Sequence, residues 1–395
     1  MRTRWKRGEW GILVGLSLFP RILCDAQIPS SRQTTPPSVH SQSVDLNTSS
    51  SVTQSETTQA RDELLEGTRL TRQGRFKDAI PHLEAARGKT SNPYALEFNL
   101  SLCLIGMGDY KKAIPILDGL RKQGRENTDV DNLLAQAYAG TGQKNEALAA
   151  VERAALISPQ NEKLFTFVAD ACRDNLDFDL GLKVVEIGLK QLPQSARLHY
   201  ERGMFLTQLD QFDRAKDDFE LAGKLEPGSE IGYVAGAQEN LLAGNVPEAI
   251  RIAREGIRRG FQSPVLLVSL GKALLRSGIT PGRPEFNEAQ DALEKAVIAH
   301  PRDAGSRISL GQVYLLAGRI DDAIENLEAA RGMMPEQPSI YAGLAKAYQR
   351  KGDARRAQEA LAQLESLNQA QAERIRSAPG ERKTSYGGTS PPSPQ

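Results

Sequence analysis

A small residue returns along this chain with a fixed step, and that step limits what the chain can become. Ala79, Ala113 and Ala147 lie 34 residues apart, and the step then lands on Gly181, Ala215 and Ala249. After one interval of 40 it resumes at Ala289, Ala323 and Ala357. The six additional residues are Ile279 to Pro284, a turn-forming insertion. The same period makes GRFKDAIPHLEAARG at 74–88 return as GRIDDAIENLEAARG at 318–332, with eleven of fifteen positions unchanged. A period of this length marks stacked supersecondary units rather than one globular core. Nine units tile residues 60–371: 60–93, 94–127, 128–161, 162–195, 196–229, 230–263, 264–303, 304–337 and 338–371.

Twelve residues before each of these sites stands another small residue: Gly67, Ser101, Ala135, Ala169, Gly203, Ala237, Gly271, Gly311 and Ala345. Seven residues after it comes a third, running from Ala86 to Ala330, with Leu120 and Leu364 the exceptions. Larger apolar residues such as Leu134, Tyr138 and Val151 recur between them at helical spacing. The spacing predicts two antiparallel helices per unit, each with one apolar stripe. Glycine at the middle of most units (Gly74, Gly108, Gly142, Gly244, Gly318, Gly352) reverses the chain, and Leu176 takes that place in unit four. Pro159, Pro193, Pro227, Pro301 and Pro335 end the second helix in five units. Small residues at matching depths let helices approach closely, where a larger side chain would overpack the contact. Aromatic residues make up only 6% of the chain, so the core is built from Leu, Ala, Ile and Val. One such unit cannot bury its stripe alone, and stability comes from stacking.

This pattern resembles the tetratricopeptide repeat family, whose helix-turn-helix unit carries small residues at its eighth, twentieth and twenty-seventh places. The resemblance covers 312 of 395 residues. It implies an all-α fold, a right-handed superhelical solenoid of about nine helix-turn-helix repeats, with a capping helix running on to about residue 376. It also implies a concave groove lined by the first helix of each unit through its second, fifth, ninth, twelfth and thirteenth places. In units three to six those places supply Asn132, Gln136, Thr166, Asp170, Arg173, Tyr200, Met204 and Gln238, the expected partner-binding residues. Asn and Gln side chains hydrogen-bond an extended backbone, while Tyr200 and Met204 offer packing surface. Some domains of the family instead clamp a terminal carboxylate with Lys, Asn and Arg. Here Leu64, Thr68, Asp129 and Leu133 fill the places concerned, so that clamp is not expected.

Residues outside the repeats read differently. Within 1–26 a basic start precedes GILVGLSLF, and Cys24-Asp25-Ala26 offers small residues before Gln27: a secretory signal peptide cleaved after Ala26. The apolar run is too short to span a bilayer, which takes about 20 residues. An uncleaved anchor is the alternative, and lipidation at Cys24 is disfavoured by the bulky Leu23 before it. Ser, Thr, Gln and Pro make up 23 of the 33 residues in 27–59, a composition that cannot bury enough apolar surface to order itself. That segment is expected to be a disordered tether, and 377–395 a disordered tail.

Setting residues 1–26 aside removes five basic and two acidic residues, and the formal charge falls from +1 to −2. With no basic block, a nucleic-acid partner is not expected. Nor is a membrane span after signal cleavage. The remaining cysteines, Cys103 and Cys172, sit two repeats apart, beyond disulfide reach, and read as small core residues. Phosphate-loop, zinc-protease and nucleophile-elbow motifs are absent, and no residues are left over for a catalytic domain. The chain therefore reads as a non-enzyme, with no catalytic, cofactor-binding or metal-binding residue. The expected function is that of an exported, periplasmic or extracellular scaffold binding a protein or peptide in its groove. The alternative is a structural subunit of a cell-envelope machine, for polysaccharide export or outer-membrane assembly, with the tether giving it reach.

Overall fold

The computed structural model describes residues 58–124 and 127–377. The expected signal peptide, the tether up to residue 57 and the tail from 378 lie outside the described residues. Thr58 and Gln59, assigned above to the tether, already belong to the first helix, because the buried Ala60 needs a helical turn leading into it.

Among the described residues there are eighteen α-helices and no strand, divided into two compact units after Phe261. The first unit holds six hairpins. They are α1 (Thr58–Arg72) with α2 (Phe76–Ala86), α3 (Pro93–Gly106) with α4 (Tyr110–Lys122), and α5 (Thr128–Gly140) with α6 (Lys144–Ile157). Then come α7 (Glu162–Asp174) with α8 (Phe178–Gln191), α9 (Ala196–Gln208) with α10 (Phe212–Leu225), and α11 (Glu230–Leu242) with α12 (Val246–Arg258). The second unit holds three: α13 (Pro264–Arg276) with α14 (Pro284–Ala299), α15 (Ala304–Ala317) with α16 (Ile320–Met333), and α17 (Pro338–Lys351) with α18 (Ala354–Ser377). The insertion read at 279–284 is part loop and part helix, since Pro284 opens α14 and Ile279 is buried.

Local chemistry sets where these helices start and turn. Side chains of Asn92, Asn127, Asp177, Ser195, Ser229, Ser263 and Asp303 accept the backbone N–H three residues on, capping seven of the helices. Between the two helices of a hairpin the chain passes through the left-handed region, at φ 72° for Gly74 and 82° for Gly352. Leu176 and Asp210 hold the same place in units four and five with φ 57° and 58°, a conformation disfavoured for any residue with a Cβ.

The small sites are where the helices touch. Ala113, Ala215 and Ala323 are each fully buried. Within a hairpin, the glycine of the first helix lies under a large residue of the second. A Cβ on Gly67, Gly203 or Gly311 would stand 2.7–2.8 Å from Leu83, Phe219 or Leu327 respectively. Between hairpins, Gly106 and Gly140 receive the rings of Phe76 and Tyr110 from the hairpin before. A second tie repeats between consecutive hairpins: a tyrosine hydroxyl donates to a carboxylate twenty residues earlier. The pairs are Tyr138 to Asp118 at 3.2 Å, Tyr314 to Glu294 at 2.9 Å and Tyr348 to Glu328 at 2.8 Å. In each unit the first helix also packs on the first helix of the next hairpin, α1 to α11 in one and α13 to α17 in the other. First helices therefore lie side by side and share one face.

Candidate functional site

The expected binding residues all lie on α5, α7, α9 and α11, and the structure sorts them into accessible and inaccessible groups. Asn132 and Gln136 are buried on α5, where Gln136 Nε2 donates to Asn132 Oδ1 at 2.8 Å. Thr166 is buried on α7 with its hydroxyl turned to the Lys163 carbonyl at 3.3 Å. Tyr200 is only 5% exposed, with its ring centroid 5.6 Å from that of Phe219 on α10. Tyr200 is thus part of the hairpin core, its ring packed against Phe219. Met204 and Gln238 are half-buried, and Asp170 and Arg173 present about two fifths of their side chains to solvent.

Arg173 is the centre of a charged cluster that sequence reasoning captured only in part. It pairs with Asp170 one turn away on α7 and donates from Nη1 to Glu201 Oε2 on α9 at 2.7 Å. Arg197 Nη2 approaches the other oxygen, Oε1, at 2.8 Å. Glu201 is 1% exposed, a buried carboxylate held between two guanidiniums whose side chains are partly exposed. Burial pushes the Glu201 carboxyl up, but Arg173 and Arg197 outweigh it and hold the group below the usual carboxylate range. The buried charge stays ionised and pins both arginines to the face shared by α7 and α9. A signal for it was present. The sixth place of the first helix, apolar in the neighbouring units (Leu133, Phe167, Ala235), carries an acid in unit five.

A second buried carboxylate sits inside the same hairpin, on its α10 side. Asp218 accepts from Arg202 Nε and Nη2, each at 2.7 Å, and lies 2.9 Å from His199 Nδ1. The other ring nitrogen of His199 is 3.0 Å from the Pro193 carbonyl. This network ties α9 to α10 and so fixes the helix that carries Arg197 and Glu201. The free thiols are inert by comparison: burial pushes Cys103 up to about 11 and Cys172 up to about 12. Among the described residues, no group of three His, Cys, Asp or Glu side chains is placed to hold a metal ion, and no helix is long and apolar enough to cross a membrane.

Three family models, each described as a tetratricopeptide repeat, match this chain. One matches residues 70–136, 104–171 and 315–378, another 285–338 and the third 196–228. The chain belongs to the tetratricopeptide repeat family. Mouse tetratricopeptide repeat protein 16 is 22% identical over 306 residues, which cover 69% of this chain and 39% of that protein. The chain thus spans about two fifths of that relative's length. Among solved structures, an IFIT1 monomeric mutant with m7Gppp-AAAA superposes with a TM-score of 0.50 at 16% identity, over 80% of each chain. A tetratricopeptide repeat protein from Parabacteroides merdae covers 74% of this chain and 99% of its own, at 17% identity and a TM-score of 0.43. At these identities the likeness is one of fold. The hairpins described above are tetratricopeptide units, and arrays of them serve as protein-interaction scaffolds.

Proposed function

We propose that the chain is an exported scaffold that binds an extended segment of another protein across the first-helix face of α7, α9 and α11. The observation that carries this reading is the Arg173–Glu201–Arg197 arrangement. A fully buried carboxylate fixes two guanidiniums side by side, with 37% of the Arg173 side chain and 46% of the Arg197 side chain still exposed and Arg173 also paired to Asp170. Such preorganised donors suit the carbonyls or side-chain oxygens of a bound segment, because little rotamer freedom is left to lose. Met204 on α9 and Gln238 on α11 extend the face with one adaptable apolar and one amide side chain. Export rests on the composition of residues 1–26, and the polar stretch 27–59 supports a chain held at a distance from whatever anchors it. That stretch also keeps a role within a cell-envelope assembly as the second reading.

The test is selection of displayed random peptides on the purified chain, followed by affinity measurement. Arg173→Ala combined with Met204→Ala should weaken the selected peptides by about tenfold or more. Thermal melting is followed alongside: Arg173→Ala takes one of two counter-charges from the buried Glu201 and should lower the melt, so Arg173→Lys with Met204→Ala, which keeps that charge, is the comparison at matched stability. Undiminished affinity in the double variant would place binding elsewhere.

A further inference from the structure

The first helices of the second compact unit differ from all the others in charge. The sequences of α13, α15 and α17 contain no Asp or Glu, yet they carry Lys272, Arg276, Arg307, Lys346, Arg350 and Lys351. In the first unit, by contrast, each of α1, α3, α5, α7, α9 and α11 contains at least one acid. The charges of α13, α15 and α17 are also ordered. Lys272, Gln312 and Lys346 occupy the ninth place of three consecutive first helices, which pack side by side. One turn earlier, the fifth place carries Val268, which is buried, then the half-buried Ile308 and the exposed Ala342, and at the far end of α15 stands Leu316, 39% exposed. An apolar row thus runs beside a cationic one across α13, α15 and α17.

Lys272 shows that the cationic row is not neutralised from within. It is half-buried and forms no ion pair within 4 Å among the described residues, and the charge acting on it is that of Asp303, which also caps α15 by accepting from the Ser306 N–H at 2.6 Å. Burial pulls its ammonium below the usual lysine range, and Asp303 offsets only part of that shift. A desolvated cation of this kind is stabilised by any carboxylate that reaches it. Lys346 is exposed on the neighbouring face of α17.

We infer that the first-helix face of α13, α15 and α17 is a second docking surface, for an extended polypeptide segment whose acidic side chains alternate with aliphatic ones. Alternation is what an extended chain requires to place carboxylates on the row of Lys272 and Lys346 and aliphatic groups against Ile308 and Ala342. Three helices packed 8–10 Å apart span roughly 20 Å, which about seven extended residues cover. The face has no aromatic side chain among these rows on which a base could stack, so the observations favour a polypeptide over a single-stranded nucleic acid. The inference shares with the proposed function the idea that first helices form the binding face, but it uses none of the residues of α7, α9 and α11.

The test uses a fluorescent peptide of alternating Glu and Leu, about ten residues long and blocked at both ends, read by anisotropy against the full chain. Binding should weaken several-fold between 50 and 200 mM salt, roughly as expected for two to three ion contacts. Lys346→Glu and Lys272→Gln should each weaken it about tenfold, as should replacing the peptide's Glu by Gln. Lys77→Gln, at an exposed site on the second helix α2, should leave it unchanged. Lys346 is solvent-exposed, so the melt of Lys346→Glu should match the parent's and keep the comparison free of folding effects. The inference is overturned if the blocked peptide does not bind, if only a peptide with a free C-terminal carboxylate binds, if the lysine variants bind equally well, or if a single-stranded oligonucleotide displaces the peptide at lower concentration than unlabelled peptide does. Loss of the acidic peptide with retention of the display-selected ones would sink this inference alone, whereas failure of both would sink the proposed function as well.

Discussion

Phe219 of α10 lies over Gly203 of α9 so closely that a Cβ on the glycine would stand 2.7 Å from the ring. Gly203→Ala should therefore destabilise the chain by about 1–3 kcal/mol in chemical denaturation, even though alanine is the better helix former. Phe219→Leu in the same chain should recover part of that loss, because the smaller side chain vacates the space. A neutral Gly203→Ala would mean that the two helices are not held at this distance.

Leu176 holds a left-handed conformation that glycine supplies in most of the other hairpins, and its side chain is 40% exposed. Leu176→Gly should raise stability by about 0.5–1 kcal/mol, since it removes backbone strain at the cost of little packing. The reciprocal change, Gly142→Leu, should lower it by a similar amount. Melting temperatures that move in opposite directions for the two variants would check this.

Leu327 and Leu361 occupy the same place in consecutive hairpins, yet the first is fully buried and the second 44% exposed. The difference is the following first helix: Gly343 of α17 closes over Leu327, and among the described residues no helix follows α18. Leu361→Gln should change stability by less than about 0.5 kcal/mol, whereas Leu327→Gln should cost about 3 kcal/mol or more. Equal costs would show that α18 is covered after all.

Burial pushes the Asp218 carboxyl up, but bonds from His199 and Arg202 outweigh it and hold the group below the usual carboxylate range. A carboxyl lowered on folding stabilises above its unfolded value near pH 3.9, and that contribution is lost as pH falls through the folded value. Stability should therefore drop as pH is lowered from about 5 toward 3, and Asp218→Asn should flatten part of that slope. At pH 7 the same variant should cost about 3 kcal/mol, because it leaves Arg202 half-buried without its counter-charge. Urea titrations at several pH values would read both effects.

The array was legible because its signal is written nine times. Small residues at fixed depths, turn glycines and the helical stripe all agree, and each site such as Ala113 or Gly203 is where the structure needs a close approach. The proposed binding face was only partly legible, and Tyr200 shows why. The ninth and fifth places of a first helix define a direction, but whether a side chain there reaches solvent depends on what the neighbouring helices put beside it. Phe219 takes Tyr200 into the core, and Gln136 and Asn132 satisfy each other. Glu201, in turn, stands at a sixth place whose occupants vary along the array, from Leu65 and Phe167 to Asn99 and Ser309, so a reading built on the fifth and ninth places passed over it. Its partner Arg197 lies one turn before it on α9, but Arg173 comes from the preceding hairpin and meets it only in three dimensions.

Hydrogen exchange on the full chain, with and without a display-selected peptide, tests most directly whether partners dock on the first helices. The account predicts added protection in α7, α9 and α11, with α8, α10 and α12 unchanged. Protection confined to the second helices of those hairpins would contradict it.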